Sequence, residues 1–83
     1  MMYHLMTANL QNMIRGIRMN LSKGDLVIKV DEGNRELQEV ATLPGTGLAW
    51  VFGFMYELRD GKWRMQCRPE VYLDAPTEDE MAA

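Results

Sequence analysis

One cysteine, one histidine and a shortage of positive charge remove most of the usual starting points for a functional reading. A lone Cys67 excludes an intrachain disulfide, and a small domain without such staples suits a reducing compartment, so a cytoplasmic protein is expected. His4 is the only possible imidazole base, far in sequence from Cys67. Cys67 itself is expected on an apolar face beside Phe54 and Trp63, where burial raises a thiol pKa and leaves it inert. Lysine and arginine number 9 against 12 acidic residues, for a net charge of −3. The chain therefore lacks the positive field that drives binding to phosphate backbones, and nucleic acid is not expected as its direct ligand. No apolar run reaches the roughly 18 residues of a membrane span, and the first residues do not pair a basic stretch with an apolar one, so neither insertion nor export is expected. The carboxylates gather in a turn and near the end of the chain without the spacing of a metal loop. No catalytic, cofactor-binding or metal-ligating residue is expected, and no enzyme.

What is present is ordinary globular material, 47% apolar and 25% charged, in 83 residues. That length supports one domain, placed at 1–74, followed by an acidic and mobile tail at 75–83. Met6, Leu10, Met13, Ile14, Ile17 and Leu21 recur every three or four residues and predict an amphipathic helix over 8–23, ended by Gly24. Leu26–Val30 is a β-branched run that meets the turn signal Asp31-Glu32-Gly33-Asn34. A hairpin turning on Glu32-Gly33 opposes Ile28 with Leu37 and Lys29 with Glu36, whereas a one-residue slip sets Lys29 against Arg35. Residues 35–43 read as its second strand, although good helix formers there keep a helical alternative open. Asp60-Gly61 is a preferred two-residue hairpin loop. It pairs Leu58 with Trp63, Tyr56 with Met65, Phe54 with Cys67 and, on the other face, Glu57 with Arg64. Val71–Leu73 is expected as a last edge strand. The expected fold is α+β: an N-terminal helix packed on a four- to five-stranded antiparallel sheet built from two hairpins.

Leu43-Pro44-Gly45-Thr46-Gly47 resembles a sortase sorting signal, but only over those five residues. A mixed run follows it in place of a membrane-length apolar stretch, so it reads as a turn between strands.

Functional expectations rest on surfaces. Residues 48–58, taken as one strand, are apolar on both faces: Trp50, Phe52, Phe54 and Tyr56 on one, Ala49, Val51 and Met55 on the other. One helix covers only one face, so the second needs a partner. A homodimer is expected, with Val51 and Met55 as self-association residues. Exclusion of other chemistries leaves a non-enzymatic protein that binds another protein. A small acidic protein of this kind fits a phage- or mobile-element-encoded inhibitor, of anti-defence type, or a regulator of a nucleic-acid-handling complex. Its candidate contacts with a basic groove are Glu32, Glu36, Glu39, Asp79 and Glu80. The alternatives are a nucleic-acid-binding regulator using the basic hairpin residues Arg59, Lys62, Arg64 and Arg68, and a domain that binds a small ligand beneath the helix.

Overall fold

The computed structural model describes residues 21–82. Six antiparallel strands follow one another: β1 (Leu26–Asp31), β2 (Asn34–Gly45), β3 (Leu48–Val51), β4 (Phe54–Arg59), β5 (Lys62–Met65) and β6 (Tyr72–Asp74), with a short helix α1 (Glu78–Ala82) after them. They close into a barrel, because β6 pairs with both β1 and β5. This overturns the expected helix-on-sheet α+β fold. Residues 8–20 of the expected helix lie outside the described residues, and Leu21–Lys23 are not helical. Leu21 packs into the barrel core, and the chain turns at Ser22–Asp25, where Gly24 takes φ 93° and Ser22 N–H donates to the Asp25 carboxylate at 2.8 Å.

Glycine-second turns draw the strands. Glu32-Gly33 (φ 51° and 85°) and Asp60-Gly61 (φ 54° and 76°) have both central residues left-handed, the type I′ geometry whose twist matches a hairpin. The expected registers are observed at both: Ile28 opposes Leu37, Lys29 opposes Glu36, and Leu58, Tyr56 and Glu57 oppose Trp63, Met65 and Arg64. Residues 34–45 form a strand, and the helical alternative falls.

The long apolar segment is not one strand. It folds back at Phe52-Gly53 (φ 48° and 81°), so Trp50 faces Met55 and Ala49 faces Tyr56. Ala49 and Val51 of β3 therefore share the interior with Tyr56 of β4. The two-faced strand, and with it the case for association through Val51 and Met55, dissolves into a hairpin whose faces alternate correctly. Val51 is fully buried, and Met55 is half-buried on the outside beside Trp50.

Val27, Val40, Trp63, Met65, Val71 and Leu73 complete most of the interior. Each fully buried valine contributes roughly 1.5–3 kcal/mol of transfer free energy. Ile28 and Val30 point the opposite way from Val27, yet both are buried. Arg35, opposite Val30, explains much of this. Its guanidinium reaches over β1 to Asp74 of β6 at 3.0 Å, to the Ala75 carbonyl at 3.4 Å and to Glu80 at 2.8 and 3.1 Å. The chain after β6 thus returns across the outside of β1 as a strap, with Pro76 buried in it. Thr77 and Glu80 form a capping box at the start of α1: Glu80 N–H donates to Thr77 Oγ1 at 3.1 Å and Thr77 N–H to Glu80 Oε1 at 2.8 Å. Residues 75–82 are held by these bonds.

Candidate functional site

The surface feature most at odds with stability is the tip of the β3–β4 hairpin. Phe52 is 72% exposed at φ 48°, a left-handed backbone that costs a side chain with a Cβ about 1–2 kcal/mol. Asparagine, aspartate or glycine ordinarily occupies that place in a type I′ turn. An aromatic ring held there gives up backbone comfort and gains no interior. Beside it runs an open depression of about 640 Å³ along the outer side of β2, lined by Leu37, Ala41 and Phe52 with Lys23, Glu36 and Glu39. Leu37 is 40% exposed, and Phe54, directly after the same turn, is 43% exposed. The rim is mainly acidic. The result is an exposed aromatic ring beside a recess of mixed apolar and charged lining.

A second, polar feature occupies the end of the barrel near the β1–β2 turn. Lys29, Asp31, Asn34 and Glu36 line a depression of about 290 Å³. Glu36 Oε1 accepts from Gln38 Nε2 at 3.3 Å and lies 3.3 Å from Lys29 Nζ. Arg68 donates two bonds to Asp31, at 3.0 and 3.1 Å. Beneath these groups the Tyr56 hydroxyl and Gln38 Oε1 are buried with no hydrogen-bond partner among the described residues. Burial pushes the Tyr56 phenol up to about 12, helped by Asp31, Cys67 and Glu36 and opposed by Arg68.

The residues singled out from sequence do not converge on one place. Among the acidic set, Glu36 is bound to Lys29 and Glu80 to Arg35, whose guanidinium holds the Glu80 carboxyl down at about 2. Glu32 sits exposed in the β1–β2 turn, Asp79 exposed on α1, and Glu39 on the groove rim. The basic hairpin residues are each engaged within the molecule. Arg59 pairs with Glu57 at 3.2 Å, Lys62 stands 4.6 Å over the Tyr72 ring, Arg64 donates to the Pro69 carbonyl at 3.1 Å, and Arg68 binds Asp31 and Glu70. Phosphates would have to compete with those partners. Cys67 is exposed, because the chain leaves the β4–β5 ladder after Met65 and Phe54 gains no cysteine opposite it.

Sequence reasoning passed over Phe52 as a contact residue because alternation assigned it to a buried face. The one available signal was its following glycine, since every two-residue loop here has glycine second. Among the described residues no three histidine, cysteine, aspartate or glutamate side chains gather to hold a metal ion. No helix among them is long and apolar enough to cross a membrane. No family model, curated protein or solved structure matches the chain.

Proposed function

We propose that this chain is a non-enzymatic protein-binding module that inserts Phe52 into a partner protein and seats an apolar segment of that partner along Leu37 and Ala41. The observation that carries this reading is the exposed aromatic on a strained, left-handed turn residue, because strain kept at a surface tip is retained for contact rather than for folding. Aromatic anchors also dominate binding energy where a ring enters a pocket. The acidic rim at Glu36 and Glu39 and the net charge of −3 favour a partner with a basic border, which keeps the reading of an inhibitor that occupies a basic groove. A cytoplasmic setting belongs to the same reading and is supported by the exposed, unpaired Cys67 thiol.

Phe52→Asn tests it. Asparagine relieves about 1 kcal/mol of left-handed strain and forfeits the small buried part of the ring, so stability should stay within about 1 kcal/mol of the parent. Immobilised parent and variant are exposed to the same lysate, and retained proteins are compared by mass spectrometry. Support is a protein held by the parent and lost by at least about tenfold with the variant, and still held after Arg59→Glu with Lys62→Glu. Equal retention by parent and Phe52→Asn of every captured protein would falsify the reading.

A further inference from the structure

We infer that the polar end of the barrel interior binds a small, uncharged molecule carrying a carboxamide, which pairs with the Gln38 side chain and accepts a hydrogen bond from the Tyr56 hydroxyl. The site is separate from the Phe52 turn and does not rest on the role proposed there.

Strand alternation places the polar groups. Val27 and Val40 both belong to the core, so every second residue from them continues the inward rows of β1 and β2. Those rows read Val27, Lys29, Asp31 on β1 and Val40, Gln38, Glu36, Asn34 on β2. The outward row of β1 is instead Ile28 and Val30, both buried under the strap. A wall that is charged on its inner side and apolar on its outer side inverts the usual order, and the inversion begins at Lys29 and Gln38. Lys29 opposes Glu36 and Asp31 opposes Asn34, so the four residues lining the recess of about 290 Å³ are two cross-strand pairs of that inner wall.

Tyr56 and Gln38 bring unpartnered atoms to this end. Tyr56 is fully buried, and its hydroxyl has no hydrogen-bond partner among the described residues. Beyond burial, which raises its phenol most, Asp31, Cys67 and Glu36 raise it further and Arg68 lowers it, as a hydroxyl directed at the charged end of the barrel requires. Gln38 Oε1 is likewise buried and unpartnered. Its orientation is set by Nε2, which donates to Glu36 Oε1 at 3.3 Å, because turning the amide over would bring two oxygens together. A third such atom, Trp63 Nε1, belongs to the same interior.

The charges and the hydrogen-bonding capacities define the occupant. Lys29 lies 3.3 Å from Glu36 and Arg68 lies 3.0 Å from Asp31, so each charged group around the recess already faces its opposite. A charged ligand would enter without a partner, whereas a neutral one leaves both pairs intact. Gln38 Oε1 only accepts, Nε2 keeps one hydrogen beyond the one given to Glu36, and the Tyr56 hydroxyl can donate. A carboxamide answers all three: its NH₂ donates to Oε1, and its carbonyl oxygen, with two lone pairs, accepts from Nε2 and from Tyr56. A hydroxyl lacks the planar donor and acceptor pair that faces an amide. Buried polar atoms without partners are costly to fold, and a ligand that supplies the partners recovers that cost on binding. Entry falls to Glu36, whose side chain is 63% exposed and is held to Lys29 by a surface contact of a kind that yields readily.

Nicotinamide is the probe, with nicotinate and pyridylmethanol as its charged and hydroxyl counterparts on the same ring. Titrated into the isotope-labelled full chain, nicotinamide should shift the Gln38 side-chain amide and the backbone amides of residues 29–36 saturably, with dissociation on the order of 1 mM for a ligand of about nine non-hydrogen atoms. Nicotinate and pyridylmethanol should bind at least about tenfold more weakly. Tyr56→Phe and Gln38→Met should each weaken nicotinamide about fivefold to tenfold, and Phe52→Asn should leave it unchanged. Circular dichroism identifies a variant that fails to fold, and either one alone suffices. Absence of saturable shifts up to about 20 mM, the outcome if water alone fills the recess, overturns the inference. So does equal binding of the three probes. Shifts that vanish with Phe52→Asn and survive Tyr56→Phe and Gln38→Met overturn it as well.

Discussion

Removing one oxygen from the middle of the barrel should make the protein more stable. Tyr56 is fully buried, sits between Ala49 and Met65 in the ladder, and its hydroxyl has no hydrogen-bond partner among the described residues. A buried hydroxyl left unpaired costs about 1–3 kcal/mol, while phenylalanine keeps the ring and its packing and deletes only the polar atom. Tyr56→Phe should therefore gain about 1–2 kcal/mol, a rise of roughly 4–16 °C in melting temperature for a domain of this size. Urea unfolding is the direct assay, with an unchanged slope showing that the folded surface is the same. The pH dependence supplies a second arm. The phenol is held up to about 12, chiefly by burial, against an ordinary value of 10.0. Its neutral form is favoured by folding, so that stability is complete below pH 10 and drains away as pH rises toward 12. The variant should lack that alkaline loss. A Tyr56→Phe protein less stable than the parent, or one with the same alkaline profile, would refute the claim that this hydroxyl is unsatisfied.

Two further outcomes follow from the strap and the β3–β4 turn. The Glu80 carboxyl should titrate near 2, below its ordinary 4.5, because Arg35 and the Thr77 amide hold its charged form. The stability it contributes is complete above pH 4.5 and is lost as pH falls through about 2. Carboxyl carbon NMR should show Arg35→Gln returning it toward the ordinary range. Val51→Ala should cost about 2–3 kcal/mol in urea unfolding, and Phe52→Ala less than about 1. A reversal of that order would mean that residues 48–58 run on as one strand.

The two hairpin registers were legible because their signals are local. Asp60-Gly61 pairs two residues that accept left-handed φ, Glu32-Gly33 lies inside the turn-rich run Asp31–Asn34 although glutamate itself does not favour that φ, and the flanking pairs check themselves by charge and size. Phe52-Gly53 uses the same backbone geometry with a residue that ordinarily avoids it, so propensity gave no warning. An apolar hairpin was then read as a strand with two greasy faces, and the expected association surface came from that error. Closure by β6 was illegible for a different reason: it joins residues 72–74 to residues 28–30, and nothing within either segment specifies the other. The tail was readable in part. Thr77-Glu78-Asp79-Glu80 spells a capping box, but its tie to Arg35, 45 residues earlier, exists only in three dimensions. The exposure of Phe52 was hidden with its turn, and several residues chosen by charge are engaged with groups outside the chosen sets: Glu36 with Lys29, Glu80 with Arg35, Arg59 with Glu57, and Arg68 with Asp31 and Glu70.

The strand that completes the ring is the last to leave the ribosome. β1 to β5 are complete by Met65, while Tyr72–Asp74 meets β5 in a single registered pair, Arg64 with Tyr72. With translation at roughly 5–20 residues per second, the nascent sheet spends a second or so with two raw borders, a time long compared with the microseconds in which hairpins form. Arg64 and Lys62 stand along one of those borders, and cationic side chains are a recognised guard against strand addition from neighbouring chains. Their value to this molecule is then greatest before it is finished, as charge that keeps growing copies apart until Tyr72 arrives beneath Lys62.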